Sequence, residues 1–138
     1  MASVLERIRQ AAAIPVMGGQ VCVITSSSGK RWVIPKGCYE PGKTAEEIAM
    51  QEAWEEAGLL GHLYAVPVGN YSYKKWDTIC DVTVFVMEVT QIADQWPEQG
   101  LRQRLWLKPN KAIARVSDPG LRRILQSVLA GNRMIVGA

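Results

Sequence analysis

Apolar and polar positions along this chain fall into runs whose breaks mark its elements. Ala11 to Val16 and Gln20 to Thr25 are apolar and partly β-branched, and Met17-Gly18-Gly19 separates them, which predicts two strands around a turn. Ser26 to Lys30 is a polar loop, and Arg31 to Ile34 is a short strand ended by Pro35. From Pro35 to Lys43 the chain carries two prolines and two glycines and reads as loop. Charges interrupt the apolar positions of the first nine residues, which read as a short helical turn or a frayed end.

The strongest element follows. Thr44 with Glu47 three residues later forms a capping box, Ala45 to Ala57 contains no Gly or Pro, and Gly58 supplies the C-terminal stop. Beyond it, Leu63 to Val68 and Tyr71 to Tyr73 read as strands. Cys80 to Val89 places Val82, Val84, Val86 and Glu88 on one face and Thr83, Phe85, Met87 and Val89 on the other. A strand apolar on both faces belongs at the centre of a sheet. Gln91 to Gly100 is polar loop, and Leu105-Trp106-Leu107 is a last strand. Helices at Asn110 to Val116 and Pro119 to Ala130 close the chain, the second with Asp118 as N-cap and Pro119 at N1. This order fits an α/β fold with a mixed sheet and helices on both faces; an alternating βαβα pattern is absent.

Composition narrows the class. At 138 residues the chain suits one domain, residues 1–138. With 48% hydrophobic and 21% charged residues it is an ordinary soluble globule, not a disordered tail, collagen-like repeat or coiled coil. A net charge of +3 is too mild to imply a specific nucleic-acid partner. The three cysteines, Cys22, Cys38 and Cys80, are odd in number and form no C-x-x-C pair, which fits a reducing compartment where thiols act as small apolar residues. No apolar run of about 18 residues is present, and the N-terminus lacks a secretory core, so the expected location is the cytoplasm.

The helix carries Glu52, Glu55 and Glu56 at i, i+3 and i+4, inside an arc of roughly 100°. The same wall holds Ala45, Ile48 and Ala49, so an apolar stripe turns into three acids. Met50, Ala53, Trp54 and Ala57 make the opposite wall apolar too, so the acids are expected to line a cleft rather than face open solvent. Like charges at this spacing repel, and a hard divalent cation with oxygen ligands compensates them; a solvated acidic face is the bland alternative.

Gly37 to Thr44 also matches G-x-x-x-x-G-K-[ST], a phosphate-cradling P-loop. That reading requires a good parallel strand before the loop, whereas Arg31 to Ile34 is short, and Pro41 removes a backbone N–H the loop would aim at phosphate. It stands as a minor alternative, a P-loop nucleoside triphosphatase.

Loop and helix together, Gly37 to Leu59, resemble the Nudix box, G-x5-E-x7-R-E-U-x-E-E-x-G-U, where U is a bulky apolar residue. Gly37, Glu52, Ala53, Glu55, Glu56, Gly58 and Leu59 fall on its positions, and the preceding run Arg31 to Gly37 looks similar to that of many Nudix hydrolases. Lys43 stands where the box has its first Glu, and Gln51 where it has Arg. In the family that Arg helps hold the catalytic acids; Gln51 keeps hydrogen bonding but no charge.

The resemblance implies an α/β/α sandwich and hydrolysis of a pyrophosphate bond with magnesium or manganese. Glu52, Glu55 and Glu56 are then the metal-holding acids, with the Gly37 carbonyl as an extra ligand. The general base is Glu52 or Glu98, the latter in the loop Asp94 to Glu98, where a plain solvated acid is the alternative. Lys36, Lys43, Tyr73, Lys74, Lys75 and Arg102, with Arg104 beside it, are candidates to grip phosphates or stack on a ring. Arg31 to Gly37, Tyr73 to Lys75, Val82 to Val89 and Trp96 to Glu98 look like the diphosphoinositol-polyphosphate branch, which suggests inositol pyrophosphates or dinucleoside polyphosphates as substrates. His62 is read as structural, and Trp32, Trp54, Phe85 and Trp106 as core. The partner expected is a phosphorylated small molecule, with no membrane involved, bound by a monomer or homodimer. A second reading, motivated by Lys43 and Gln51, is a catalytically weakened nucleotide- or phosphate-binding module.

Overall fold

The computed structural model describes residues 5–131. Eight strands form one mixed sheet: β1 (Glu6–Met17), β2 (Gln20–Thr25), β3 (Trp32–Val33), β4 (Lys36–Cys38), β5 (Leu59–Leu63), β6 (Gly69–Lys75), β7 (Thr78–Ile92) and β8 (Arg104–Leu107). Helix α1 (Ala45–Ala57) lies between β4 and β5, and α2 (Pro109–Arg115) and α3 (Pro119–Gly131) follow β8. The sheet runs β3-β2-β1-β7-β5, with β4 also on β1, β6 on β7 and β8 on β2. Only β1 and β7 run parallel, from Glu6 opposite Thr78 to Val16 opposite Glu88; every other pair is antiparallel.

The two faces of β7 separate two cores, as its two-sided apolar pattern predicts. Val82, Val84 and Val86 pack with Leu121, Leu125 and Leu129 of α3, whereas Phe85, Met87 and Val89 pack with Ile48, Ala49 and Ala53 of α1. Helices therefore cover both faces, the α/β/α sandwich. Pro15 sits inside the central strand β1 without breaking the ladder. The N–H of Ala13 donates to the Pro35 carbonyl at 3.1 Å, and Pro15, two residues on, points the same way. There β4 has ended and β2 does not begin pairing until Val16, so no partner lacks a donor.

Helix α1 follows its sequence signals. The Thr44 hydroxyl accepts from the Glu47 N–H at 3.1 Å, Glu47 accepts from the Thr44 N–H at 2.9 Å, and Gly58 ends the helix at φ 68°. Its buried residues, Ile48, Ala49, Ala53, Glu56 and Ala57, make one broad side. Ala53 and Ala57 thus share a side with Ile48 and Ala49, rather than forming an opposite wall. Asp118 caps α3 by accepting from the Gly120 and Leu121 N–H groups at 2.8 and 3.1 Å.

Four expectations are corrected. Residues 6–9 are neither helical nor frayed: they extend β1 along Thr78 to Asp81, with Arg7 forked onto Asp81 at 2.8 and 2.9 Å (residues 1–4 lie outside the described residues). The stretch from Pro35 to Lys43 contains β4, a strand held by its antiparallel partner β1 and not by its own propensity. The strand expected over Leu63 to Val68 lies earlier, Leu59–Leu63, beginning straight after the helix stop. Cys22 and Cys80 are buried, the Cys22 thiol pushed up to about 12 by desolvation, but Cys38 is exposed. No helix of the described residues is long and apolar enough to cross a membrane.

Candidate active site

The acids of α1 meet the sheet at β4. Gly37 lies so close to Glu52 that a Cβ there would overlap the carboxyl carbon, and any other residue would push the Glu52 side chain from this position. The next turn brings Glu56 against the same strand. Only 8% of its side chain is exposed, and the Lys36 N–H donates to its Oε1 at 3.3 Å. Glu52 is pushed up to about 8, first by burial and then by contact and repulsion from Glu56 and Glu55. Burial also raises Glu56, against the pull of the Arg102 guanidinium. Both acids thus hold protons more tightly than a free carboxyl does. Among the described residues no group of three or more His, Cys, Asp or Glu side chains is gathered closely enough to hold a metal ion by itself.

Arg102 is the main counter-charge. It lies 3.4 Å from Glu56 Oε2, donates through Nε to Glu98 Oε1 at 3.1 Å, and donates through Nη1 to the Thr25 carbonyl at 3.0 Å. Glu98 therefore does not stand free in solvent, and two nitrogens of Arg102 engage its Oε1. Its own N–H donates to the Glu55 carbonyl at 2.9 Å, tying this loop to α1. Arg104 is not free to grip phosphate. Its guanidinium lies 4.1 Å over the Trp96 ring and donates to the carbonyls of Ala57 and Ala93 at 2.8 and 3.0 Å. Trp96 in turn donates to the Glu56 carbonyl at 3.0 Å.

A cleft of about 390 Å³ opens beside Glu56, on the α3 side of the sheet. Four cationic residues line it, Arg31, Lys36, Lys75 and Arg102, against two acids, Glu56 and Asp118. Asp118 is occupied as the cap of α3. Lys36 sits 5.2 Å over the Tyr73 ring, and burial lowers its pKa. The Tyr73 hydroxyl donates to Gln10 at 2.8 Å, which fixes the ring.

Of the residues proposed from sequence, the structure brings Lys36, Glu56, Tyr73, Lys75 and Arg102 to this cleft; Gly37, Glu52, Glu55 and Glu98 are not among its lining residues, though Gly37, next to Lys36 in sequence, meets Glu52. Lys74 is absent from the lining, since neighbouring strand residues face opposite sides. Lys43 is held instead by Glu40 and Gln51. Sequence reasoning assigned no role to Ser26, Ser27 or Ser117, which also line the cleft; nothing local distinguishes them from loop serines. Arg31 was visible only as part of the run before the box. The loop of the P-loop pattern follows β4, which is antiparallel to β1, so the parallel strand that reading needs is not there. Phe85 is buried in the core as expected, whereas Trp32 and Trp106 are only partly buried against the two cores, Trp54 is half-buried and in neither, and His62 is exposed on β5.

The model of the NUDIX domain matches residues 7–128. The chain is 36% identical over 100 residues to Nudix hydrolase 17, mitochondrial, of Arabidopsis thaliana, covering 67% of this chain and 52% of that protein. It is 33% identical over 97 residues to diphosphoinositol polyphosphate phosphohydrolase 3-beta of Bos taurus, covering 68% and 58%. The chain spans about half the length of the curated relatives it matches. Among solved structures, a NUDIX hydrolase from Nitrosomonas europaea superposes with a TM-score of 0.76 at 16% identity, covering 91% of this chain and 90% of that one. The C. elegans Ap4A hydrolase superposes with a TM-score of 0.72 at 16% identity, covering 89% and 96%, a likeness of fold.

Proposed function

The chain belongs to the Nudix family, and from that premise we propose that it hydrolyses a pyrophosphate bond in a small molecule bearing several phosphates. The observation that carries this reading is the cleft itself. Four cations, from the loop before β3, from β4, from β6 and from the loop before β8, converge beside an acid-bearing helix, and a compact polyanion satisfies both at once. Arg31, Lys36, Lys75 and Arg102 bind and orient the phosphates. Glu98 positions Arg102. Glu52, which accepts a hydrogen bond from the Gln51 amide and meets Glu56, serves as the base for the attacking water.

Magnesium or manganese fits the donor set: carboxylate and carbonyl oxygens alone, with Glu52 and Glu56 both raised, first by burial, at positions where an added cation would favour their charged forms. Glu52, Glu55, Glu56 and the Gly37 carbonyl would hold it. Such an ion, when bound, neutralises phosphoryl charge and makes water acidic enough to attack at neutral pH. Within this reading we place the substrate among inositol pyrophosphates or dinucleoside polyphosphates. The support is the density of cations in the cleft and the similarity to a phosphohydrolase of diphosphoinositol polyphosphates.

The test is product release from a panel of such polyphosphates with magnesium or manganese. Turnover is expected, and Glu55→Gln and Glu56→Gln should each lower kcat by about 100-fold. Rates unchanged in both variants would remove the acids from the mechanism. The second reading, a binding module with weak catalysis, is favoured by the exchange of box residues at Lys43 and Gln51. Tight binding without turnover on the whole panel would establish it.

A further inference from the structure

We propose that Glu40, Lys43 and Gln51 form a closed polar ring whose role is to position Glu52, replacing with one neutral amide what a charged pair would otherwise do. The two departures from the box, Lys43 and Gln51, are eight residues apart in sequence yet touch: the Lys43 ammonium donates to Gln51 Oε1. Gln51 Nε2 donates to Glu40 Oε2 at 2.8 Å and to Glu52 Oε2 at 3.4 Å, and Lys43 closes the ring on Glu40 Oε1 at 3.6 Å. The other side chain in contact with the Glu52 carboxyl is Glu56, itself an acid, so Gln51 supplies the amide donor that faces it.

Donor and acceptor identities leave the ring one arrangement. An ammonium only donates and the Glu40 carboxylate only accepts, so the Gln51 amide must turn its oxygen to Lys43 and its nitrogen to Glu40, the side on which Glu52 also lies. Flipping it would set oxygen against the Glu40 carboxylate and nitrogen against an ammonium. The local backbone supports the ring from below. The Lys43 N–H donates to the Glu40 carbonyl at 3.2 Å in a turn through Gly42, at φ 80°, and the capping box then starts α1. Glu40 and Lys43 side chains are 44% and 41% exposed, so their pairing adds little to stability. Its effect is directional: it holds an amide that holds an acid.

The inference rests on Glu52 being a working acid, so the experiment separates the two. With magnesium and the polyphosphate panel, kcat and KM are measured for Lys43→Met, Gln51→Leu, the double variant and Lys43→Arg. Side-chain amide proton exchange of Gln51 is followed by NMR in the metal-free protein. Each single variant should lower kcat about 10-fold with KM changed less than about twofold, since a misplaced group costs rate rather than binding. The double variant should be no worse than the poorer single one, and Lys43→Arg, which keeps the donor, should stay within about threefold of the parent. Gln51 amide exchange should quicken in Lys43→Met. Melting temperatures should stay within about 2 °C, and a variant that fails this control is set aside in favour of the Lys43→Met and Lys43→Arg comparison. An unchanged kcat in Lys43→Met, or losses that add in the double variant, overturns the ring. If the parent protein turns over nothing on the panel, the hydrolase reading fails instead. NMR then decides the ring alone: quicker exchange in Lys43→Met upholds it, and identical exchange overturns it.

Discussion

Arg102 joins more of this site than any other side chain. With 11% of its side chain exposed it faces Glu56, itself 8% exposed, and no other guanidinium or ammonium is paired with that acid among the described residues. Arg102→Met leaves a buried carboxyl without its counter-charge and frees Glu98 and the Thr25 carbonyl. A loss of about 3 kcal/mol in chemical denaturation is expected, together with loss of phosphate affinity. A change below about 0.5 kcal/mol would show that Glu56 is satisfied by its proton alone. At this scale the sequence revealed the acids and missed what surrounds them. Glu52, Glu55 and Glu56 were legible because helical spacing puts them on one wall. Arg102 was legible only as a nearby cation, and Arg104 was misread as one of the same kind. Only contacts with Trp96 and Ala57 reveal that Arg104 serves the fold.

Elements were legible where their cause is local. Helix α1 matches its predicted range because cap, composition and glycine stop are all written within fifteen residues. The charged start of β1 and the glycine-containing β4 form because distant partners, Thr78 to Asp81 and Gln10 to Ala12, offer them hydrogen bonds. The β6–β7 hairpin shows a different conflict. Its two-residue turn puts Trp76 at φ 56°, with the side chain 86% exposed, in a region that costs a residue with a Cβ roughly 1–2 kcal/mol. Trp76→Gly should therefore raise stability by about 1 kcal/mol, after allowing for the extra freedom of glycine in the unfolded chain. Equilibrium denaturation of the two proteins measures it, and a destabilised variant would mean that the indole packs where its exposure says it does not.

The whole molecule responds to pH through its acid wall. Folding raises Glu52 from 4.5 to about 8, so the folded chain holds that proton more tightly than the unfolded one. The contribution is complete below about 4.5 and is lost as pH rises through about 8. Without divalent cations the melting temperature should fall across this window. Added magnesium should restore more at its upper end, where the carboxylates are free to take it. Melting curves in chelator and in magnesium from pH 5 to 8.5 test this; an equal magnesium effect at both ends would place the ion elsewhere.

The last turn of α1 has no basic residue of its own, and its open carbonyls are taken up from outside: Glu56 by the Trp96 indole, Ala57 by Arg104. The segment that supplies both also carries Glu98 and Arg102. Acid wall and facing cation are consequently moored to the same helix end, so a substitution that frees Trp96 or Arg104 should shift the spacing between them.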